Sequence, residues 1–178
     1  MKFFTKIVAT VLLISTTVVL ASEDYALTAE YKLLNDMKMA KEQQADIVSM
    51  SKLLEAKELN RKELMSSVKR FDKVLQGLLN GDKTMKLNGT KIPSIRHQLN
   101  ELLMAWNESK VLLSHPLSSE LQKQKAINNL NTILIKVSQT VALYNQSYSR
   151  YKQRSRLSSI VNRHMNSNHT LALNTTLY

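Results

Sequence analysis

The chain has 178 residues and a formal net charge of +11, with 25 Lys and Arg against 14 Asp and Glu. It has no Cys, which excludes disulfides, thiol catalysis and cysteine-ligated metals. Only three Gly and two Pro occur and helix-favouring residues dominate, so we expect one all-α domain.

Residues 1–21 have the layout of a secretory signal peptide. Lys2 and Lys6 make a basic start, an almost unbroken apolar run covers residues 7–20, and small or compact residues precede Ser22. The run is shorter than the ~20 residues that a membrane-spanning helix usually needs, which favours cleavage. We therefore expect a secreted, periplasmic protein. The alternative is an uncleaved N-terminal helix that anchors the protein to the inner membrane.

The folded domain is expected to cover residues 22–165, and its first helix runs from about Asp24 to Leu54. The apolar residues at spacings that share one helical face are Leu27, Tyr31, Leu34, Met37, Ala40, Ile47 and Val48. A weak interruption over residues 56–60 separates this helix from the next.

The second predicted helix has the clearest apolar stripe in the chain. Its members are Leu64, Val68, Phe71, Leu75 and Leu78. Their spacing predicts an amphipathic helix that needs another apolar face to pack against. Residues 80–82, Asn-Gly-Asp, end this helix after Leu79, because Gly and Asn tolerate the left-handed conformation of a helix C-terminus. A turn-rich loop is expected over residues 84–90.

Pro93 opens the third helix, since Pro fits the first turn, and His115-Pro116 ends it. The stripe of that helix consists of Ile95, Leu99, Leu102, Leu103, Trp106 and Leu113. We expect Trp106, the only Trp, to be a core anchor. Ser118 or Ser119 is expected to cap the fourth helix.

The fourth helix is expected to be the longest, extending to about Met165, with a disordered polar tail over residues 166–178. Its apolar stripe includes Leu130, Ile133, Val137, Val141 and Tyr144. Four helices with short connections predict an antiparallel up-down-up-down four-helix bundle.

No catalytic constellation is visible in the sequence. The four histidines, at positions 97, 115, 164 and 169, include no HxxxH pair and lie in no carboxylate-rich cluster. Nucleophile-elbow, phosphate-loop and dinucleotide-binding motifs are also absent from the sequence. We therefore expect no enzyme activity, no metal site and no cofactor.

The last third of the chain carries charge of one sign, because no Asp or Glu follows Glu120. Its densest part contains Arg150, Lys152, Arg154 and Arg156. Such a segment favours polyanions, anionic lipid head groups or an acidic partner. These four residues are our candidates for a polyanion or peripheral membrane contact, and the alternative is a solvated helix end. Nucleic acid is disfavoured, because a secreted chain rarely meets it and stacking aromatics are few.

Four strings occur in the order of a known sensor module: KMAKE (residues 38–42), FDKVLQGLLNGD (71–82), IRHQLNELLMAW (95–106) and NNLNTILIKVSQTVALY (128–144). Through them the chain resembles the periplasmic sensor domain shared by type IV pilus methyl-accepting chemoreceptors (PilJ-type) and nitrate/nitrite sensor kinases (NarX-type). The resemblance covers about residues 29–144. It implies an antiparallel four-helix sensor bundle, usually a homodimer, that is flanked by two membrane spans and acts in signal transduction.

In nitrate-sensing members of that family, arginines on the first helix hold the anion at the dimer axis, where each guanidinium donates two parallel hydrogen bonds. Here Leu33 occupies the position expected for that arginine, with Lys32 beside it, and Glu30 replaces a glycine usually found upstream. Leu cannot hold an anion, and Lys32 could do so only as a point charge. No second apolar run of spanning length follows, so three alternatives stay open: a free ligand-binding module, a partner of a membrane sensor kinase or chemoreceptor, or a bundle whose sensing role has lapsed.

Our preferred hypothesis is a non-catalytic periplasmic sensor-type module that binds a small ligand, for instance an anion, or a membrane receptor. Binding would use the first helix and the dimer axis. The candidate contacts on that helix are Lys32, Asp36, Lys38, Lys41 and Gln44. The alternative is a structural or surface-adhering protein whose basic C-terminal helix binds anionic lipid or polysaccharide.

Overall fold

The structure, a computed structural model, describes the backbone of residues 2–174 and the side chains of residues 29–161. The described backbone forms four α-helices: α1 (Lys2–Glu55), α2 (Arg61–Asn80), α3 (Pro93–Ser114) and α4 (Glu120–Asn174). Within this backbone the only β-type pairing is an isolated bridge between Asp82 and Leu87. The predicted all-α class is therefore confirmed.

The outer ends of α1 and α4 extend further than the sequence predicted. α1 begins at Lys2, and α4 continues to Asn174, past the end predicted near Met165. No Gly or Pro between Met165 and Asn174 interrupts the helical backbone. The predicted signal peptide, residues 1–21, and the predicted disordered tail, residues 166–178, lie outside the residues whose side chains are described. Both stay predictions.

Side-chain caps explain where α2 and α4 begin. The Asn60 side chain accepts a hydrogen bond from the backbone N–H of Glu63 at 3.2 Å. Ser119 Oγ accepts one from the backbone N–H of Gln122 at 3.2 Å, and Gln122 Oε1 accepts one from the Ser119 N–H at 3.2 Å. This reciprocal pair is a capping box. The predicted Ser cap of the fourth helix is thus confirmed at Ser119.

The α2–α3 connection is a tightly turned loop rather than an open one. Asp82 and Leu87 exchange two backbone hydrogen bonds of 2.9 Å, and the Thr90 N–H donates to Leu78 O at 2.8 Å. Gly89 has a φ of 68°, and a Cβ added there would lie 2.8 Å from the carbonyl carbon of Asn80. Only Gly fits this position without strain, so the loop packs closely against the end of α2.

The predicted stripes of α2, α3 and α4 supply most of the core. Every predicted spine residue of α2 is buried, from Leu64 to Leu78. Trp106 is fully buried, and its ring centroid lies 4.3 Å from that of Phe71. Its indole N–H donates to Asp72 Oδ1 at 2.9 Å, which satisfies the one polar atom of the side chain. The prediction that Trp106 anchors the core is confirmed.

The inward face of α1 differs from the predicted one. Tyr31 and Val48 were expected in the core but are 58% and 41% exposed. The side chains of α1 that are buried instead include three polar ones, Asp36, Gln43 and Asp46. At about 100° per residue, Tyr31 and Val48 project from other sides of α1 than its fully buried residues do, so they cannot face the core. The buried apolar residues of α1 are Ala40, Ile47, Met50 and Leu54.

The helices contact one another in a cyclic order. α1 contacts α2 and α4, and α3 contacts α2 and α4. Along the α1–α4 contact, Gln44 bonds to Ser138 and Glu30 bonds to Tyr148, so residue numbers fall in one helix as they rise in the other. These contacts are consistent with the predicted up-down-up-down arrangement.

Candidate functional site

The five residues predicted as ligand contacts on α1 do not converge on one site. A helix turns by about 100° per residue, so Lys32 and Lys41 project on opposite sides of α1. Lys32, Lys38 and Lys41 are all exposed, and Lys38 Nζ lies 3.9 Å from a carboxylate oxygen of Glu42, one turn along. Among the described side chains, neither Lys32 nor Lys41 forms an ion pair, so these two are the lysines of the predicted set that α1 leaves open to a ligand.

Gln44 has a contact that joins two helices. Its side-chain amide donates to Ser138 Oγ of α4 at 2.9 Å, and Ser138 in turn donates to Leu134 O at 2.8 Å. A side chain held in this way is already used within the chain. The structure therefore gives Gln44 a role in α1–α4 packing.

Asn35 and Asp36, neighbours on α1, hold the α2–α3 loop. The Asn35 side-chain amide donates to Met85 O at 3.3 Å and to Lys86 O at 3.0 Å. The Asp36 carboxylate, only 5% exposed, accepts a hydrogen bond from the backbone of Asn88. Two side chains of α1 thus bind the backbone of three residues of one loop, and we call this contact the loop clamp.

The loop clamp contains a buried acid with an unusual proton affinity. Burial raises the pKa of Asp36 from 3.8 to about 6, and the backbone hydrogen bond from Asn88 opposes part of that rise. Burial also raises the pKa of Tyr144 on α4, and the negative charge of Asp36 raises it further, while Thr90 opposes the rise. Asp36 Oδ1 and the Tyr144 hydroxyl are both buried, and neither forms a hydrogen bond of standard distance and angle within the described residues, although the Thr90 side chain lies close enough to Tyr144 to affect its pKa. A carboxyl group and a phenol therefore lie without full hydrogen bonding where the loop covers the core.

Two more polar residues of α1 face the core, and both were missed from the sequence. Gln43 donates to Phe71 O at 3.3 Å, and Asp46 pairs with Arg70 Nε at 3.5 Å. Burial raises the pKa of Asp46, while the positive charge of Arg70 lowers it and Glu42 raises it. Asp36, Gln43 and Asp46 are spaced by seven and three residues, which puts them on one helical face. That spacing is the feature of the sequence from which a polar strip on the inward face of α1 could have been predicted.

At the other end of the described α1–α4 contact, Lys152 is tied to α1. Lys152 Nζ lies 2.6 Å from Glu30 Oε1, and the Tyr148 hydroxyl donates to the same oxygen at 3.0 Å. These hydrogen bonds lower the pKa of Glu30, and the bond to Glu30 raises the pKa of Lys152. Lys152 Nζ also lies 5.8 Å from the Tyr148 ring centroid. Of the four predicted basic contact residues, Lys152 is therefore already paired.

The three remaining basic residues are open to solvent. Arg150, Arg154 and Arg156 are exposed, and none forms an ion pair within the described part of the chain. A shallow groove of about 450 Å³ runs along this part of α4. Its lining residues are Tyr148, Ser149, Lys152, Gln153, Arg156 and Leu157. An anion or an extended partner would meet cationic, aromatic and apolar groups here.

No group of three or more His, Cys, Asp or Glu side chains among the described residues is placed to hold a metal ion. Within the same part of the chain, no helix is both long enough and apolar enough to cross a membrane.

Comparisons of the chain with models of protein families, with curated proteins and with solved structures found no match. The resemblance to PilJ-type and NarX-type sensor domains, and the roles that it implies, stay predictions.

Proposed function

We propose that this protein is a non-catalytic, periplasmic sensor-type module of the PilJ/NarX kind, folded as an antiparallel up-down-up-down bundle. The relative helix lengths support this architecture, because α1 and α4 are more than twice as long as α2 and α3. The cyclic order of helix contacts supports it as well. In this arrangement the α2–α3 hairpin packs against the C-terminal part of α1 and the N-terminal half of α4.

The observation that carries the proposal is the position of the two α1–α4 contacts relative to the loop clamp. Glu30 bonds Tyr148 and Lys152 on one side of the clamp, and Gln44 bonds Ser138 on the other. A shift in the position of α1 relative to α4 would therefore move the loop clamp, which lies between these two contacts along α1. Such a helix pair is suited to relay binding at one point along its length to another.

The ligand or partner would bind along the exposed side of α1, with Lys32 as the first candidate contact. In a homodimer of the kind that the resemblance implies, Lys32 from two copies would supply two positive charges near the axis. The protein would then act with a membrane sensor kinase or chemoreceptor. Lys32 suits a small anion as a point charge rather than through a two-pronged hydrogen bond.

Thermal unfolding in the presence of small anions tests this proposal. We expect at least one of nitrate, nitrite, phosphate or a small carboxylate to raise the unfolding temperature in a saturable way, because a ligand that binds only the folded state stabilises it. Lys32→Ala should abolish the shift. The control is Lys52→Ala, which removes an exposed Lys near the C-terminal end of α1. This variant should show the same shift as the wild type. Absence of any saturable shift would contradict small-anion binding, and equal shifts in both variants would contradict the role of Lys32.

A second candidate function is attachment to an anionic surface through the end of α4. It is favoured by the exposed Arg150, Arg154 and Arg156, which form no ion pair among the described residues, and by the lack of any acid after Glu120. Positive charge without internal compensation attracts polyanions at low ionic strength. We expect the full chain to bind a soluble polyanion such as dextran sulfate, and we expect added salt to reverse the binding. Failure to bind at low salt would contradict it.

A further inference from the structure

One side of α4 carries exposed apolar residues beyond the part of this helix that contacts α3. Leu157, Ile160 and Val161 are 56%, 50% and 52% exposed. Their spacing of three and four residues places them together on one side of the helix, and we call this group the apolar ridge. Large side chains half exposed on a single helical face form a patch that water disfavours.

The apolar ridge points away from α1. Leu157 follows Tyr148 by nine residues, which is about half a turn away around the helix at about 100° per residue. Tyr148 is the side chain that bonds Glu30 of α1. The face of α4 that holds α1 is therefore opposite the face that carries the ridge, and the ridge can reach a partner without disturbing that contact.

Arginines border the apolar ridge on both sides. By helical geometry, Arg154 lies along one edge of the ridge and Arg156 lies along the other, while Arg150 lies in line with the ridge, two turns before Leu157. All three are exposed, and no acidic residue occurs in this part of the chain. An apolar strip with basic borders is the pattern of helices that lie in the interface of an anionic membrane.

We propose that the apolar ridge and its bordering arginines form a docking surface for an anionic phospholipid bilayer. This inference rests on the second proposed function. It specifies that the anionic surface is a lipid bilayer and not another polyanion. Leu157, Ile160 and Val161 would enter the boundary between head groups and acyl chains, while the arginines bind lipid phosphates through the bidentate geometry of the guanidinium.

A lipid bilayer would bind both the apolar ridge and the arginines. A polysaccharide or a second copy of the chain would suit only one of the two. A sulfated or acidic polysaccharide would satisfy the arginines but would leave the ridge in water. A second copy of the chain would cover the ridge but would add more arginines to a segment in which no acid follows Glu120. The charge of the borders therefore favours a bilayer over self-association.

Vesicle flotation of the full chain tests the inference. The probes are phosphatidylcholine vesicles, vesicles in which a quarter of the lipid is phosphatidylglycerol, and soluble dextran sulfate. One variant combines Arg150→Gln, Arg154→Gln and Arg156→Gln, and another combines Leu157→Gln and Ile160→Gln. The matched controls are Lys62→Gln with Lys69→Gln and Lys83→Gln, and Met104→Gln with Val111→Gln, which change exposed residues elsewhere. Far-UV circular dichroism of each variant checks that its helix content is unchanged.

We expect the arginine variant to lose roughly tenfold or more in partitioning to the anionic vesicles, since each basic residue near such a surface contributes about a fivefold effect. The ridge variant should also lose partitioning while keeping its binding to dextran sulfate. Both controls should bind vesicles like the wild type. Because all the proteins keep residues 1–61 unchanged, any effect of the N-terminal apolar run is the same in each.

Four results would overturn the inference. Vesicle binding that is unchanged in the arginine variant would place the contact elsewhere, and binding that is unchanged in the ridge variant would show that the ridge does not enter the bilayer. Binding to dextran sulfate without binding to anionic vesicles would reject lipid but leave surface attachment standing. Binding to neither would reject both the inference and the second proposed function.

Discussion

The strongest quantitative prediction concerns Asp36 in the loop clamp. Each tenfold change in proton affinity corresponds to about 1.4 kcal/mol, so raising the pKa of Asp36 from 3.8 to about 6 costs the ionised folded state about 3 kcal/mol. Below about pH 4 the carboxyl is protonated in both folded and unfolded chains, and this cost is absent. As pH rises through about 6, the folded protein must ionise a buried group and loses that stability.

Asp36→Asn should remove both the cost and its pH dependence. The amide oxygen can still accept the hydrogen bond from the Asn88 backbone, so the substitution keeps this contact of the loop clamp. We expect the variant to be more stable than the wild type near neutral pH, by at most about 3 kcal/mol. Between about pH 7.5 and about pH 5, the wild type should gain about 1.4 kcal/mol that the variant does not gain.

Urea unfolding at several pH values measures this difference. Far-UV circular dichroism reports the helices, and the fluorescence of Trp106, the only Trp, reports the core. The carboxylates whose pKa is lowered lose their stabilising effect only below their ordinary values, so they do not enter this pH window. They are Glu30, Asp82 and Glu101. The raised pKa of Asp46 acts equally in both proteins.

Glu108→Gln, a change at an exposed carboxylate, is the control and should leave the pH dependence as it is in the wild type. If Asp36→Asn and the wild type change in stability by the same amount over this window, Asp36 is not a buried acid with a raised pKa. A variant that is less stable than the wild type near neutral pH would show that the clamp needs the carboxylate charge.

Three further substitutions test the fold, each by urea unfolding. Gly89→Ala should destabilise by more than about 1 kcal/mol, because φ is positive and the new Cβ would meet the Asn80 backbone; wild-type stability would contradict the loop geometry. Ser119→Ala should cost about 1 kcal/mol through loss of the α4 cap, and no cost would mean that the cap is not formed in solution. Trp106→Phe should cost about 2 kcal/mol, because Asp72 loses the indole donor and the core loses volume; a neutral result would contradict the burial of Trp106.

Much of the candidate site depended on contacts that no local pattern encodes. Gln43 bonds a residue 28 positions away, and Glu30 bonds one 118 positions away. The sequence predicted that Lys152 was available to a polyanion, but its pairing with Glu30 follows from how α1 lies against α4. Tyr31 and Val48 had apolar spacing yet lie exposed, because the face of α1 that meets the core is another one, on which apolar and polar residues are both buried.

The sequence by itself determined the four helices and most of their ends. Apolar spacing, caps such as Ser119 and breakers such as Gly81 act over a single turn, and neighbours within four residues are enough to express them. Only the tertiary structure decided that Asp36 is buried under the α2–α3 loop and that the apolar ridge of α4 is exposed. Both depend on which helix faces which, and that choice is made by the packing of the whole chain.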